Sequence, residues 1–282
     1  MTSLQQTYQK KTDKEHVLDN PDTYIGSVEL VKNKDWSLHT LENNIQLTEQ
    51  DYIPGLYKLF DECVVNARDH VIRCQTKETP VTYIHISIDE HDVITVSNDG
   101  EGIDIVEHPE YKIYIPEMIF AHLRTSTNYD KTEKKIVGGK NGFGVKLVFI
   151  WSEWGMIETV DHKRKLKYEQ RFTSNLDTIE KPKITKCNKK SYTKITFKPD
   201  YKRLGISGLT PEMKALLHRR VYDIAAVTPK KTKVKLNNSL VDVKDFQQYV
   251  SMYIGSKSEK PRVYEQMGCL LYTSDAADDP TC

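Results

Sequence analysis

A chain of 282 residues has room for one large domain or two smaller ones, each with its own core. With 41 basic against 40 acidic residues and a formal net charge of +1 it has no overall polyelectrolyte character, so composition argues neither for nor against nucleic acid. The start is polar rather than signal-like, no apolar run nears the roughly 20 residues that span a bilayer, and Cys63, Cys74, Cys187, Cys269 and Cys282 lack zinc-like spacing and are odd in number. A soluble protein of a reducing compartment, cytoplasm or nucleus and no membrane, is the expectation.

Residues 1–14 read as an extended polar arm in which Tyr8 is the one residue with much to bury. From Glu15 to Glu29 a short helix is stopped at Asn20-Pro21 and a turn through Gly26 leads into a strand; Ile45 to Tyr52 reads as a further strand. Pro54-Gly55 then punctuates before Leu56 to Arg73, the stretch that organises the rest. At the helical period Leu56, Phe60, Cys63, Val64, Ala67 and Val71 share one stripe, while Glu62, Asn66, Asp69 and Arg73 share the other. The plain reading of the second stripe is a solvated face. Leu59, Val65 and Ile72 border it with apolar side chains, however, which suggests a lined pocket.

Val81 to Asp89 and Val93 to Asn98 alternate as the strands of a hairpin, and the second runs into Asp99-Gly100-Glu101-Gly102, where glycines allow a sharp turn. Ile115 to Asp130 reads as a helix followed by a Ser/Thr/Asn cluster, and Lys131 to Lys135 as the flank of a lid. A Gly-rich turn, Gly138 to Lys146, leads into a segment too apolar to be exposed. From Asp161 to Arg203 fourteen Lys and Arg face five Asp and Glu on strand-like alternation. That region is either a solvated sheet face or a basic surface for nucleic acid or a partner domain. Thr210-Pro211 starts a helix with Met213, Leu216, Leu217, Val221 and Ile224 on its buried side; Val234 to Val243 reads as a hairpin and Asp245 to Ile254 as a closing helix. The stretch from Cys269 onward breaks with what precedes it and reverse-translates closely onto a transposon-end sequencing adaptor, so residues 269–282 are expected to be a non-native tail and the chain an N-terminal fragment.

A carboxylate–Asn helix, then Asp-Gly-x-Gly, then a Gly-rich loop into an apolar helix resembles the ATP site shared by gyrase, the large heat-shock chaperone, histidine kinases and MutL-type repair proteins. More closely, YQKKTDKEHVLDNPDTYIGSVELV, PGLYKLFDECVVNARDH, SNDGEGI, LRTSTNYD and EKKIVGGKNGFGVKL, in that order, are similar to the ATPase region of eukaryotic-type (type IIA) DNA topoisomerase II over about Tyr8 to Gln266. The resemblance implies an α+β, two-layer Bergerat (GHKL) ATPase, helices over a mixed β-sheet, in residues 15–229, followed by the beginning of a transducer domain in 230–268. It implies ATP and Mg²⁺ as cofactors, an ATP-closed homodimer, and double-stranded DNA as partner of the full-length protein, a DNA topoisomerase.

By the same resemblance Glu62 is the general base that polarises the attacking water, and Asn66 places an oxygen on Mg²⁺. Asp99 accepts from the adenine amino group, Asn98 assists at base or sugar, and Gly100 and Gly102 turn the backbone there. Asp69 lines the site, and His70 stands where the family usually has Asn, bringing a titratable ring. Ser126, Thr127 and Asn128 contact sugar and phosphates. Gly138, Gly139, Lys140, Asn141, Gly142, Phe143, Gly144 and Val145 wrap the phosphates, with Phe143 where Tyr is common, and Lys146 adds charge. Tyr8 reaches the nucleotide of the second subunit in trans. A phosphate-reaching Lys and the DNA-linking Tyr of the family would lie beyond Gly268, so weak ATP turnover and no DNA cleavage are expected of this chain. Two other readings share the motifs: a histidine kinase, for which His16 is a poor phosphoacceptor, and an ATP-gated dimerisation clamp without DNA cleavage.

Overall fold

The computed structural model describes residues 11–39, 42–123, 143–243 and 245–261. Helix α1 (Asp13–Asp19) opens with a capping box in which Thr12 and Glu15 satisfy each other's backbone amides, and Pro21 starts a separate turn, α2 (Pro21–Tyr24). Strands β1 (Val31–His39) and β2 (Asn44–Tyr52) pair antiparallel as a two-stranded sheet of their own. The organising helix α3 (Pro54–Arg73) follows, with Pro in its first turn, where a missing N–H costs nothing. All six residues of its expected apolar stripe are buried; so are Leu59, read from sequence as a border, and Asp69.

The central sheet is built from β3 (Tyr83–Ile88), β4 (Ile94–Asp99), β5 (Ser152–Asp161), β6 (Leu166–Thr173), β7 (Thr178–Ile179), β8 (Lys183–Lys186), β9 (Tyr192–Pro199), β10 (Lys233–Leu236) and β11 (Ser239–Leu240). Its order is β11-β10-β3-β4-β9-β5-β6-β7, with β8 also on β6; β10 joins β3 in parallel and every other pairing is antiparallel. The sheet is therefore mixed, as expected. Ile84, Ile86, Ile94, Val96, Ile157, Ile195 and Phe197 form one core with the helices α3, α4 (Ile115–Ala121), α5 (Gly144–Ile150) and α6 (Pro211–Ala226). Helix α6 buries the five residues its spacing marked, and Thr210 caps it through the Met213 amide.

The proposed division at 229/230 does not follow a break in the sheet. Val234 is paired with Ile84, Thr232 Oγ1 donates to the Val81 carbonyl at 2.9 Å, and Asn237 and Asn238 take left-handed φ values of 46° and 69° in the turn to β11. Helix α7 (Phe246–Ile254) then packs on α6 and β2 without burying any residue completely. Among the described residues no helix is long and apolar enough to cross a membrane.

Candidate functional site

On α3, Glu62 and Asn66 stand one turn apart on the partly exposed side, and Asp69 is buried at 4%. The Glu62 carboxylate is held by Lys58, one turn back, at 2.6 Å. It also lies against the backbone of Gly144 so closely that a Cβ at that position would overlap Oε2. This contact brings the end of the Gly-rich segment onto the carboxylate-bearing helix, two stretches some eighty residues apart in sequence. Phe143 precedes it with its ring 6.5 Å from that of Tyr24, Val145 is half-buried, and Lys146 is buried to 1% exposure. Burial pushes the Lys146 ammonium down to about 8.

Strand parity separates Asn98 from Asp99. Ile94 and Val96 enter the core beneath the helices, so Asn98, two residues on, shares their face. Thr95, whose hydroxyl meets Thr196 Oγ1 at 3.2 Å, and Ser97 belong to the opposite face, and Asp99 with them. The Asp99 carboxylate is committed to protein donors: Oδ1 accepts from the amides of Thr82 at 2.7 Å and Tyr83 at 3.0 Å, and Oδ2 from the Thr82 hydroxyl. This departs from the expectation that Asp99 meets the adenine amino group. Its oxygens pin the start of β3 to the end of β4, while Asn98, 7% exposed, donates Nδ2 to the Asp99 carbonyl at 2.8 Å.

Sequence reasoning missed the companions of Asn98. Thr193 is its register partner on β9, in phase with Ile195, and Thr159 on β5, in phase with Ile157, is in turn opposite Thr193. Their hydroxyls are 3.1 Å apart, and Thr159 Oγ1 accepts from the Ile103 amide at 3.2 Å. Three polar side chains thus interrupt the apolar face at the same level of three adjacent strands. The signal was available in the parity of SYTKITF and IETVD, since a Thr in phase with core Ile residues is inward-facing.

The turn after β4 is fitted to its surroundings. Gly100 has φ of 103°, and a Cβ there would sit 2.6 Å from Val81 Cγ2, while one on Gly102 would overlap the Val160 carbonyl. Ser191 Oγ donates to the Gly100 carbonyl. His70 Nε2 faces both Gly100 and, at 3.4 Å, Cys74 Sγ. Burial, helped by the charge of Arg73, lowers the His70 pKa to about 4, so the expected titratable ring is neutral at physiological pH.

A second network braces α3 from behind. Arg220 of α6 holds Asp61, the neighbour of Glu62, at 2.6 Å and reaches Asp223, which accepts from the Tyr249 hydroxyl of α7 at 2.5 Å. On the uncovered face of the sheet Glu158 is met by Lys167 at 2.7 Å, Lys194 at 3.1 Å and the Tyr192 hydroxyl. Burial would raise its pKa, but these three donors outweigh it and hold the group at about 2. Two of the fourteen cations between Asp161 and Arg203 are thereby paired. Tyr8, Ser126, Thr127, Asn128, Gly138, Gly139, Lys140, Asn141 and Gly142 lie outside the described residues.

The profile of the histidine kinase-, DNA gyrase B- and HSP90-like ATPases matches residues 51–203, which include α3, the β3–β4 hairpin and strands β5 to β9. The chain belongs to this ATPase family. It is 41% identical to the ATPase region of Saccharomyces cerevisiae topoisomerase II, with a TM-score of 0.87 over 92% of this chain and 68% of that one. A 43% identity links it to DNA topoisomerase 2 of Penicillium chrysogenum over 89% of this chain, and to that of Acanthamoeba polyphaga mimivirus over 99%. The chain spans only 16% and 22% of the length of those two relatives. The 43K ATPase domain of Thermus thermophilus gyrase B, 20% identical with a TM-score of 0.57, shares the fold. The ATPase so defined is the GHKL two-layer arrangement expected from the motifs.

Proposed function

We propose that this chain is the ATP-binding gate of a type II DNA topoisomerase, with the nucleotide held between α3 and the covered face of β4, β9 and β5. The observation that carries this reading is the seat of Glu62 on Gly144, which joins the carboxylate–Asn helix to the Gly-rich segment. The base lies toward Asn98, whose Oδ1 accepts from the adenine amino group, with Thr193 and Thr159 completing a polar floor in an otherwise apolar surface. Asp99 sets the height of that floor by fixing β3 to β4 rather than by touching the base.

The donor set around the phosphates suits Mg²⁺, a hard ion that takes one or two protein oxygens and completes its shell with phosphate and water. Asn66 Oδ1 is the protein oxygen that would hold the ion, which would supply charge neutralisation at the phosphates. Glu62 Oε2 takes the proton of the attacking water, held in orientation by Lys58. Backbone amides of 138–144 wrap the phosphates, with Ser126, Thr127 and Asn128 at sugar and phosphate. The Lys146 ammonium, charged below about 8, gains stabilisation from an anion nearby. In the full-length protein, ATP closes a homodimer, Tyr8 crosses to the second subunit's nucleotide, and closure drives passage of one DNA duplex through another.

Calorimetric titration of a non-hydrolysable ATP analogue with Mg²⁺ into this chain, beside Asn98→Ala, tests the reading. Binding by the parent that is lost in the variant is the expected outcome. A folded parent chain that binds no nucleotide would overturn it.

A further inference from the structure

Of the fourteen cations from Asp161 to Arg203, the twelve that precede Lys202 fall into two groups that sequence could not separate. Lys163, Arg164, Lys167, Arg171, Lys194 and Lys198 each have a carboxylate within 4.0 Å. Lys165, Lys181, Lys183, Lys186, Lys189 and Lys190 have none among the described residues, and all six are exposed. They are also contiguous. Lys181 to Lys190 form one edge segment containing β8, and the Cys187 amide donates to the Lys165 carbonyl at 2.8 Å, which brings Lys165 to the same end. From Lys181 to Pro199 the sequence contains no Asp or Glu at all. An ordinary solvated face intersperses both signs; within Lys181–Lys190 there is one, with Glu180 just before it and Glu169 of β6, already met by Lys167, opposite Lys183.

We propose that this edge, Lys181 to Lys190 with Lys165, is a docking surface for the phosphate backbone of duplex DNA. Its chemistry suits phosphate and not bases: the cations are all Lys, point charges on long stems, without an Arg fork or an exposed aromatic among them. Its spacing suits a regular polyanion. Lys181 and Lys183 are two residues apart, with Pro182 holding Lys181 extended, about 6.6 Å, close to the axial rise over two nucleotide steps of one strand, about 6.8 Å. Ile184 packs toward the core opposite buried Tyr168 and anchors β8, from whose two faces Lys183 and Lys186 leave along the exposed edge. Binding there is independent of sequence and strongly dependent on salt. The inference stands beside the nucleotide reading, since neither Glu62 nor Asn98 takes part.

The test is fluorescence anisotropy of a labelled 24-base-pair duplex titrated with the whole chain over a series of NaCl concentrations. Two charge-matched variants are compared: Lys186→Gln/Lys189→Gln/Lys190→Gln, and a control, Lys231→Gln/Lys233→Gln/Lys235→Gln, in and just before β10 at the far side of the sheet. Each lysine seated on a phosphate contributes about 0.9 to the slope of log affinity against log salt. The Lys186/Lys189/Lys190 triple is therefore expected to flatten that slope by about 2 to 3 and weaken binding at least tenfold at low salt, with the control close to the parent. Thermal unfolding and ATP-analogue titration, unchanged in both triples, keep folding and nucleotide binding apart from the result. Equal losses in the two triples would overturn the surface in favour of diffuse charge. No DNA binding by the folded parent, or capture of poly-glutamate but not duplex, would overturn the assignment to DNA.

Discussion

The backbone of Gly144 rests on the carboxylate of Glu62, with no room for a side chain between them. Gly144→Ala must displace either the carboxylate or the start of α5. Overpacking of this kind costs about 1–3 kcal/mol. Thermal unfolding should show that loss, and Glu62→Ala/Gly144→Ala should recover most of it because the overlap is gone. A double variant as unstable as Gly144→Ala alone would mean that the contact is not the cause.

Asn98 and Asp99 are adjacent yet should fail differently. Removing the Asp99 carboxylate strands the Thr82 and Tyr83 amides, at about 1–3 kcal/mol for a buried group left unpaired. Asp99→Ala should therefore lower the unfolding midpoint. Asn98→Ala should leave stability within about 1 kcal/mol of the parent and abolish ATP-analogue binding. Denaturant titration beside calorimetry separates the two, and the opposite pattern would return the base contact to Asp99.

His70 ties folding to pH. Its folded pKa, about 4, lies below the ordinary 6.5, so the native state prefers the neutral ring. The stability this represents is complete above pH 6.5 and is lost as pH falls from there to about 4, because the unfolded chain takes up the proton first. The loss over that window amounts to up to about 3 kcal/mol. His70→Asn should flatten this part of the stability curve while leaving it similar at pH 8. An equal slope in the variant would show that other groups carry it.

Arg220 carries two half-buried carboxylates, Asp61 and Asp223, across three helices. Arg220→Met should cost about 2–3 kcal/mol, less than for a fully buried pair because both partners retain some water. Amide hydrogen exchange should quicken in α3 around Glu62 and in α7 together. Quickening in α6 alone would mean that the network does not couple them.

Much of this molecule follows from local pattern. The 3.6-residue stripe of α3, the alternation of β3 and β4, the Thr210-Pro211 start of α6 and the order of the motifs each depend on neighbours within a few residues, and each is present where the sequence puts it. What a side chain touches across the sheet depends on partners a hundred residues away. Only the tertiary structure decided that Asp99 turns to Thr82 while Asn98 joins Thr193 and Thr159, since a one-residue step along a strand reverses its face. The same holds for the lysines between Asp161 and Arg203: their composition is legible, but which are neutralised depends on the register that sets Glu158 between Lys167 and Lys194. Likewise β10 reads as the start of something new, and becomes a parallel strand of the central sheet because β3 offers it an open edge.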